Sequence, residues 1–241
     1  KGIGIGIDSK LPFVSVCTPT FNRRPFVEMM IKCFDSQDYP KNKMEWIIID
    51  DGTDKIKDLV CDISQVKYFE YDVKMPLGKK RNLMHLKSKG DIIVYMDDDD
   101  YYPPERVLIA VRALEENPDI DLAGCSKTYM YYTDTDEIYC AGPYNDNHAL
   151  NCTIAFRSSY SGKYDDNEPC AVERAFLNDF TEDMVQLYSK NTILHIIHST
   201  NTFNAILGRD KGTLGLLKKT QLKLDNFIAN DEMRKLFEGA Y

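Results

Sequence analysis

The chain has 241 residues, 43% hydrophobic and 28% charged, the balance of a globular protein rather than a disordered one. Lys and Arg total 30 against 38 Asp and Glu, and the formal charge of −8 argues against a nucleic-acid surface, which needs clustered cations. No apolar run approaches the ~18–20 residues of a membrane span. The seven cysteines are scattered without a CxxC pair, which favours a reducing compartment. A soluble, cytoplasmic protein is therefore expected.

Residues 1–12 open with KGIGIGIDSK. Their glycines neither follow a strand nor open a helix, so the segment reads as a flexible extension or a tag remnant rather than a phosphate loop. From residue 13 strands and helices alternate. Residues 13–18 (FVSVCT) read as a buried strand and 25–35 as a helix with Pro25 in its first turn. Residues 45–49 (EWIII) form a second strand, 55–61 a short helix and 67–71 a third strand. A helix over 79–89 is capped by Gly90. The strand 92–96 (IIVYM) precedes a helix over 105–117, stopped by Pro118. Near-continuous apolar strands separated by helices predict an α/β fold with a mostly parallel sheet covered on both faces.

After Asp121 the pattern becomes mixed. Short strands are expected at 122–126, 127–133, 137–140 and 153–157, a polar loop at 158–169, helices at 172–178 and 181–189, and a last strand at 192–198. Residues 214–227 and 231–237 read as terminal helices, the first with an apolar stripe suited to the core or to a second subunit, so a homo-oligomer stays open. One continuous sheet is expected for the whole chain.

Ligands of open α/β sheets bind beyond the carboxyl ends of the strands. Here the first, second and fourth strands end in Thr18-Pro19-Thr20-Phe21-Asn22-Arg23, Asp50-Asp51-Gly52-Thr53 and four consecutive aspartates, Asp97, Asp98, Asp99 and Asp100. Polar strand ends are ordinary, but four adjacent carboxylates repel, at ~1 kcal/mol per pair in water and ~4 at an effective dielectric of 20. A divalent cation would relieve this, and carboxylates suit Mg²⁺ or Mn²⁺. On an extended chain Asp97 and Asp99 share one side and can share an ion. A calcium loop of the EF-hand type fails, because Tyr102 and Leu108 stand where Gly and Glu are required. A phosphatase-type Asp-x-Asp-Gly-Thr is one residue short at Asp50-Asp51-Gly52-Thr53.

Three stretches, VSVCTPTFNRR (14–24), WIIIDDGTD (46–54) and LGKKRNLMHLKSKGDIIVYMDDDDYYPPERV (77–107), resemble the family-2-like glycosyltransferases of the GT-A fold. The order and spacing over residues 13–110 carry the resemblance. It implies a single GT-A-like domain over 13–241, with a nucleotide-binding half at 13–120 and an acceptor-side half at 121–241. It also implies that Thr18, Pro19, Thr20 and Phe21 line a uracil and ribose pocket and that Asp51 or Asp50 accepts a hydrogen bond from the base. Gly78, Lys79 and Arg81 would lie near the nucleotide. Asp97 and Asp98 would lie beside the nucleotide sugar, and Asp97 and Asp99 would hold Mn²⁺ or Mg²⁺ across the diphosphate of a UDP-sugar.

The same resemblance suggests His198 as a late metal ligand, with surface or core placement as the alternative. His195, flanked by Leu194 and Ile196, reads as structural. Glu173 stands near the family's Glu-Asp motif, although Arg174 follows it. Thr181-Glu182-Asp183 keeps Glu-Asp later in the chain, so Glu173 and Asp183 are the candidate proton carriers. For Glu173 the plain alternative is a first-turn carboxylate favoured by the helix dipole. Glu-x-x-Phe-Leu at 173–177 and His-x-x-Asn-Thr at 198–202 resemble glycosyltransferases of large DNA viruses, including those that glucosylate collagen hydroxylysine with UDP-glucose and Mn²⁺. The expectation is thus a metal-dependent hexosyltransferase with a UDP-sugar donor and a glycan or glycosylated-protein acceptor. A nucleotidyl or phosphoryl transferase using the same aspartates, and a silent UDP- or sugar-binding module, stand as alternatives.

Overall fold

The computed structural model describes residues 11–168 and 172–239. The expected extension over residues 1–10 lies outside them. In chain order, β1 (Val14–Thr20), α1 (Val27–Asp35), β2 (Met44–Asp50), α2 (Lys57–Val60), β3 (Val66–Glu70), α3 (Leu77–Lys87), β4 (Ile92–Tyr95) and α4 (Arg106–Glu116) build the first half. The second half contains β5 (Leu122–Gly124), β6 (Thr128–Tyr132), β7 (Glu137–Ala141), β8 (Ala155–Arg157), α5 (Glu173–Phe176), β9 (Met184–Gln186), β10 (Leu194–Ile197), α6 (Ala205–Asp210), β11 (Leu217–Lys219) and α7 (Asp231–Gly239).

Period-2 alternation explains the layers. On β1, β2 and β4 the side chains of Val14, Val16, Trp46, Ile48, Ile92 and Val94 enter one core. Their neighbours Cys17, Ile47, Ile49, Ile93 and Tyr95 enter a second core on the other face. Both faces are therefore sealed, as expected for parallel strands connected by helices.

Among the described residues, seven strands form the main sheet in the order β3-β2-β1-β4-β8-β5-β9. β3, β2, β1 and β4 are parallel, and β8 runs antiparallel between β4 and β5. The order turns at β1, with β2 and β3 on one side and β4 on the other. That is the switch point where a crevice opens above the carboxyl ends.

The sheet is not continuous. β6 and β7 form an antiparallel hairpin, and β10 and β11 flank it in a separate four-stranded sheet. The two sheets meet through an isolated Tyr101–Leu194 bridge, and Tyr131, Ile138, Leu194 and Ile196 pack into the same core as β1 and β2.

Two predicted helices are also corrected. Residues 181–189 contain β9, which pairs in parallel with β5, and the left-handed backbone at Asn178, Asp179 and Phe180 prevents a helix from running through. Residues 214–227 hold β11 and a single 3-10 turn, Leu224–Asn226. β11 is recruited by the open edge of β7, and the following Thr220 N–H donates to Ile138 O at 2.9 Å. Local apolar spacing favoured a helix in both places, and long-range edge pairing overrode it.

Candidate functional site

The carboxyl ends of β1 and β4 and the start of α3 enclose a cavity of about 780 Å³. Pro19, Thr20, Phe21, Arg81, Asp97, Asp98 and Asp99 line it, together with Arg23, Lys74, Lys80, Thr200 and Thr202. A second cavity of about 360 Å³ adjoins it and shares Leu77, Arg81, Asp97, Asp99 and Thr202. Its remaining wall is more apolar and aromatic, with Met130, Tyr144 and Phe203 beside Glu173.

The protein's own cations meet the acidic edge residue by residue. Arg81 Nη2 donates to both oxygens of Asp97 at 3.0 Å, and its guanidinium lies over the Tyr95 ring. Burial disfavours the Arg81 charge, but Asp97 more than offsets this and raises its pKa. Arg81 Nε and Nη1 remain buried without a hydrogen-bond partner. Arg23 reaches across the turn to Asp98 (3.6 Å) and Asp99 (3.2 Å), and it also donates to Thr200 Oγ1 at 2.9 Å. Burial and the Asp99 carboxylate hold the Asp98 carboxyl well above its ordinary range. Asp99 is moved the other way: burial works against its charge, but the hydrogen bond from His198 and the charge of Arg23 lower its pKa.

His198 is buried on the far side of the turn, with Nε2 3.1 Å from Asp99 Oδ2 and Nδ1 2.9 Å from Thr200 Oγ1. His195 also reaches the aspartates, with Nδ1 2.7 Å from Asp100 Oδ1. Burial would lower the His195 pKa, but Asp100 outweighs it and raises it to about 9. The structural reading of His195 is given content by this ion pair to the fourth aspartate, which its apolar flanks do not reveal. The extended-strand alternation misses the turn after β4, which lets both histidines meet carboxylates.

Other residues have different surroundings from those expected. Thr18 is fully buried behind the cavity, where its hydroxyl donates to Met96 O (2.6 Å) and accepts from Trp46 Nε1 (2.8 Å). Asp50 is fully buried and accepts from the N–H groups of Gly52 (2.9 Å) and Ile56 (3.1 Å) and from the Tyr68 hydroxyl. Asp51 accepts from Met75 N–H at 2.6 Å and ion-pairs with Lys80. Lys79 is exposed and does not line the cavity, whereas Lys80, one position on, does. Burial lowers the Lys80 pKa and Asp51 partly restores it.

Gly78 owes its place to packing. A β-carbon there would come 1.9 Å from the Asp165 carbonyl oxygen, so only glycine lets α3 meet that loop. Asp183 is exposed and lines neither cavity. Glu173 lines the smaller one, and burial raises its carboxyl pKa.

Lys80 was missed by sequence reasoning, whereas Arg23 and Asn201 stood in the motifs without a role of their own; Asn201 Nδ2 donates to Asp99 Oδ2 at 3.3 Å. Nothing local distinguishes Lys80 from Lys79 except the 3.6-residue turn that rotates one of them inward.

Two carboxylates and an imidazole are donors of the right chemistry for Mn²⁺ or Mg²⁺. In this structure Arg81 and Arg23 engage Asp97 and Asp99, while His198 Nε2 lies 3.1 Å from Asp99 Oδ2.

A mostly parallel α/β sheet thus carries, at its switch point, a cavity lined by charges of both signs, and the fold matches that of solved GT-A structures. The sequence pattern of glycosyl transferase family 2 matches residues 15–178, and the chain belongs to that family. It is 28% identical over 109 residues to the poly(ribitol-phosphate) beta-N-acetylglucosaminyltransferase TarS of Staphylococcus aureus, covering 43% of this chain and 19% of that protein. A Campylobacter jejuni GalNAc(5)-diNAcBac-PP-undecaprenol beta-1,3-glucosyltransferase is 33% identical over 97 residues, covering 37% of this chain and 30% of its own length. The crystal structure of TarS 1-349 with UDP-GlcNAc superposes with a TM-score of 0.65 at 18% identity, over 78% of this chain and 60% of that one. A mannosyltransferase from Pyrobaculum calidifontis, in complex with GDP-Man and Mn²⁺, gives 0.59 at 15% identity, over 80% and 59%. The chain thus spans less than two thirds of these relatives. Among the described residues, no helix is long and apolar enough to cross a membrane.

Proposed function

We propose that this chain is a metal-dependent hexosyltransferase that moves glucose or galactose from a UDP-sugar to a hydroxyl acceptor. The observation that carries the reading is the larger cavity, where Arg81, buried with two unpartnered nitrogens, stands beside three aspartates at the switch point. An anion that brings its own divalent ion satisfies both halves of such a wall. Asp97 and Asp99, with His198 behind them, would hold Mn²⁺ or Mg²⁺. When bound, the ion supplies charge neutralisation for the departing UDP.

The remaining work falls to the protein's own groups. Pro19, Thr20 and Phe21 form one wall for the base and ribose, and Lys80 holds Asp51 at its edge. Arg81 joins the two cavities, so it stands where donor phosphates and acceptor approach each other. In the smaller cavity Tyr144 and Phe203 offer aromatic faces for a sugar ring, and Glu173 can take the proton of the attacking hydroxyl. The resemblance to viral collagen glucosyltransferases supports glucose as the sugar and a hydroxylysine-linked glycan as the acceptor. Free thiols at six described cysteines are consistent with a cytoplasmic setting.

Titrating UDP with and without Mn²⁺ tests the donor reading, which fails if UDP binding is absent or indifferent to the metal. Hydrolysis of a panel of UDP-sugars then identifies the sugar and separates an enzyme from a silent module. Asp99→Ala should lower turnover by ~10²-fold or more while the fold persists by circular dichroism.

A further inference from the structure

Behind the acidic turn, three chemically different side chains from three segments meet. Asp100 follows β4, Cys152 lies in the 3-10 turn Asn151–Thr153, and His195 is on β10. One ligand atom from each lies within 4.8 Å of the other two. Asp100 is only 3% exposed. Its Oδ1 accepts from His195 Nδ1 at 2.7 Å and from Ile196 N–H at 2.8 Å, while Oδ2 is buried without a hydrogen-bond partner. An unsatisfied buried acceptor costs ~1–3 kcal/mol, more when charged. Cys152 and His195 line the smaller cavity, so the cluster has a route to solvent.

We infer that Asp100, Cys152 and His195 form a second cation site, for an ion of the Zn²⁺ class, distinct from the carboxylates of Asp97 and Asp99. Zn²⁺ bonds to sulfur at ~2.3 Å and to nitrogen or oxygen at ~2.0–2.2 Å, so tetrahedral ligand atoms lie roughly 3–4 Å apart. The ligand atoms of the three side chains already lie within 4.8 Å of one another. A thiolate ligand selects Zn²⁺, Cd²⁺ or Co²⁺ over Mn²⁺ and Mg²⁺, which prefer all-oxygen surroundings. Three protein ligands would leave a fourth position for water or an exogenous ligand.

The ligand set also fits the ion's charge: the Asp100 carboxylate and a Cys152 thiolate, its proton released on binding, would match the two charges of the ion, with His195 as a neutral ligand. The bound ion would tie together the acidic turn, the Asn151–Thr153 turn and β10.

Titration of Co²⁺ and Cd²⁺ into the tag-free full chain tests this, read by thiolate-to-metal charge-transfer absorption with Zn²⁺ as competitor. The readout needs no nucleotide. One equivalent should give the band in the native chain and in Asp99→Ala. Cys152→Ser should lose it, His195→Gln should bind at least ~10-fold more weakly, and Mn²⁺ should not displace the ion. No band in the native chain overturns the inference, as does a band that survives Cys152→Ser and so belongs to another thiol such as the exposed Cys61. Loss of the band in Asp99→Ala would refute a distinct site. If Cys152→Ser does not fold, an unchanged affinity in His195→Gln is sufficient to reject it.

Discussion

His85 is set inside the second core, between Tyr95, Phe156 and Phe176, with Nε2 hydrogen-bonded to the Tyr95 hydroxyl. Burial, and then the nearby Arg81 charge, lower its pKa from 6.5 to about 3. The folded chain therefore binds fewer protons here than the unfolded chain between those two values. Stability is unaffected above pH ~6.5 and is lost as pH falls toward 3, by an amount on the order of several kcal/mol. His85→Gln should flatten this dependence, and urea midpoints at pH 7.5 and pH 4.5 will show it as a smaller difference than in the native chain. Glu173 lies at the opposite extreme of use: burial raises its pKa and it borders a cavity. Glu173→Gln should lower turnover by ~10²–10⁴-fold and remove the acidic limb of the pH–rate profile. UDP affinity should stay unchanged, and a drop in affinity with an intact pH profile would return Glu173 to a structural role.

Elements are held in register by polar links that sequence patterning does not display. Trp46 on β2 donates to Thr18 on β1, and Thr18 donates to the Met96 carbonyl just beyond β4. This relay fixes the relative height of three strand ends, and so of the Pro19–Phe21 wall and the aspartates. Arg106, at the start of α4, does the same from below, donating to the carbonyls of Thr153 (2.8 Å) and Ile154 (3.0 Å). Thr18→Val keeps the side-chain shape but leaves the indole N–H and a carbonyl unpaired. The expected loss is ~2–4 kcal/mol in denaturant unfolding, with Thr18→Ser recovering most of it. At the temperature where the variant is folded, weakened UDP binding would show that strand register sets the site.

At the scale of the whole molecule, ligand linkage offers the clearest check. A ligand present at ~100 times its dissociation constant adds ~2.7 kcal/mol to the stability of the folded state. For a chain of this size that is a rise in Tm of roughly 5–10 °C. UDP with Mn²⁺ together should reach that range, while either alone gives less, because the diphosphate and the ion each need the other against an acidic wall. Equal shifts for UDP with and without Mn²⁺ would remove the metal from the donor site.

How much was legible depended on the range of the interaction. The first hundred residues alternate as the sequence implies, because a strand buried on both faces must be apolar throughout and a helix must follow it. The clustering of Thr20, Phe21, Asp97, Asp98 and Asp99 at one sheet edge followed from strand ends alone. The second half was less readable: its strands are only three to five residues long, and the partners that recruit them are distant.

By itself the sequence determined the parallel α/β core, the acidic clusters at the carboxyl ends of its strands and the family resemblance, since all three rest on local periodicity and fixed spacing. Only the tertiary structure decided which polar groups are already used. Asp50 is satisfied by its own loop and Tyr68, Thr18 by two neighbouring strands, and Gly78 by an approaching backbone. Lys80 rather than Lys79 faces inward, and His195 joins His198 at the aspartates. Hydrogen-bond and ion-pair partners lie up to 177 residues apart in the chain, as Arg23 and Thr200 do. Their identity is set by how two sheets pack around one core, which no local pattern encodes.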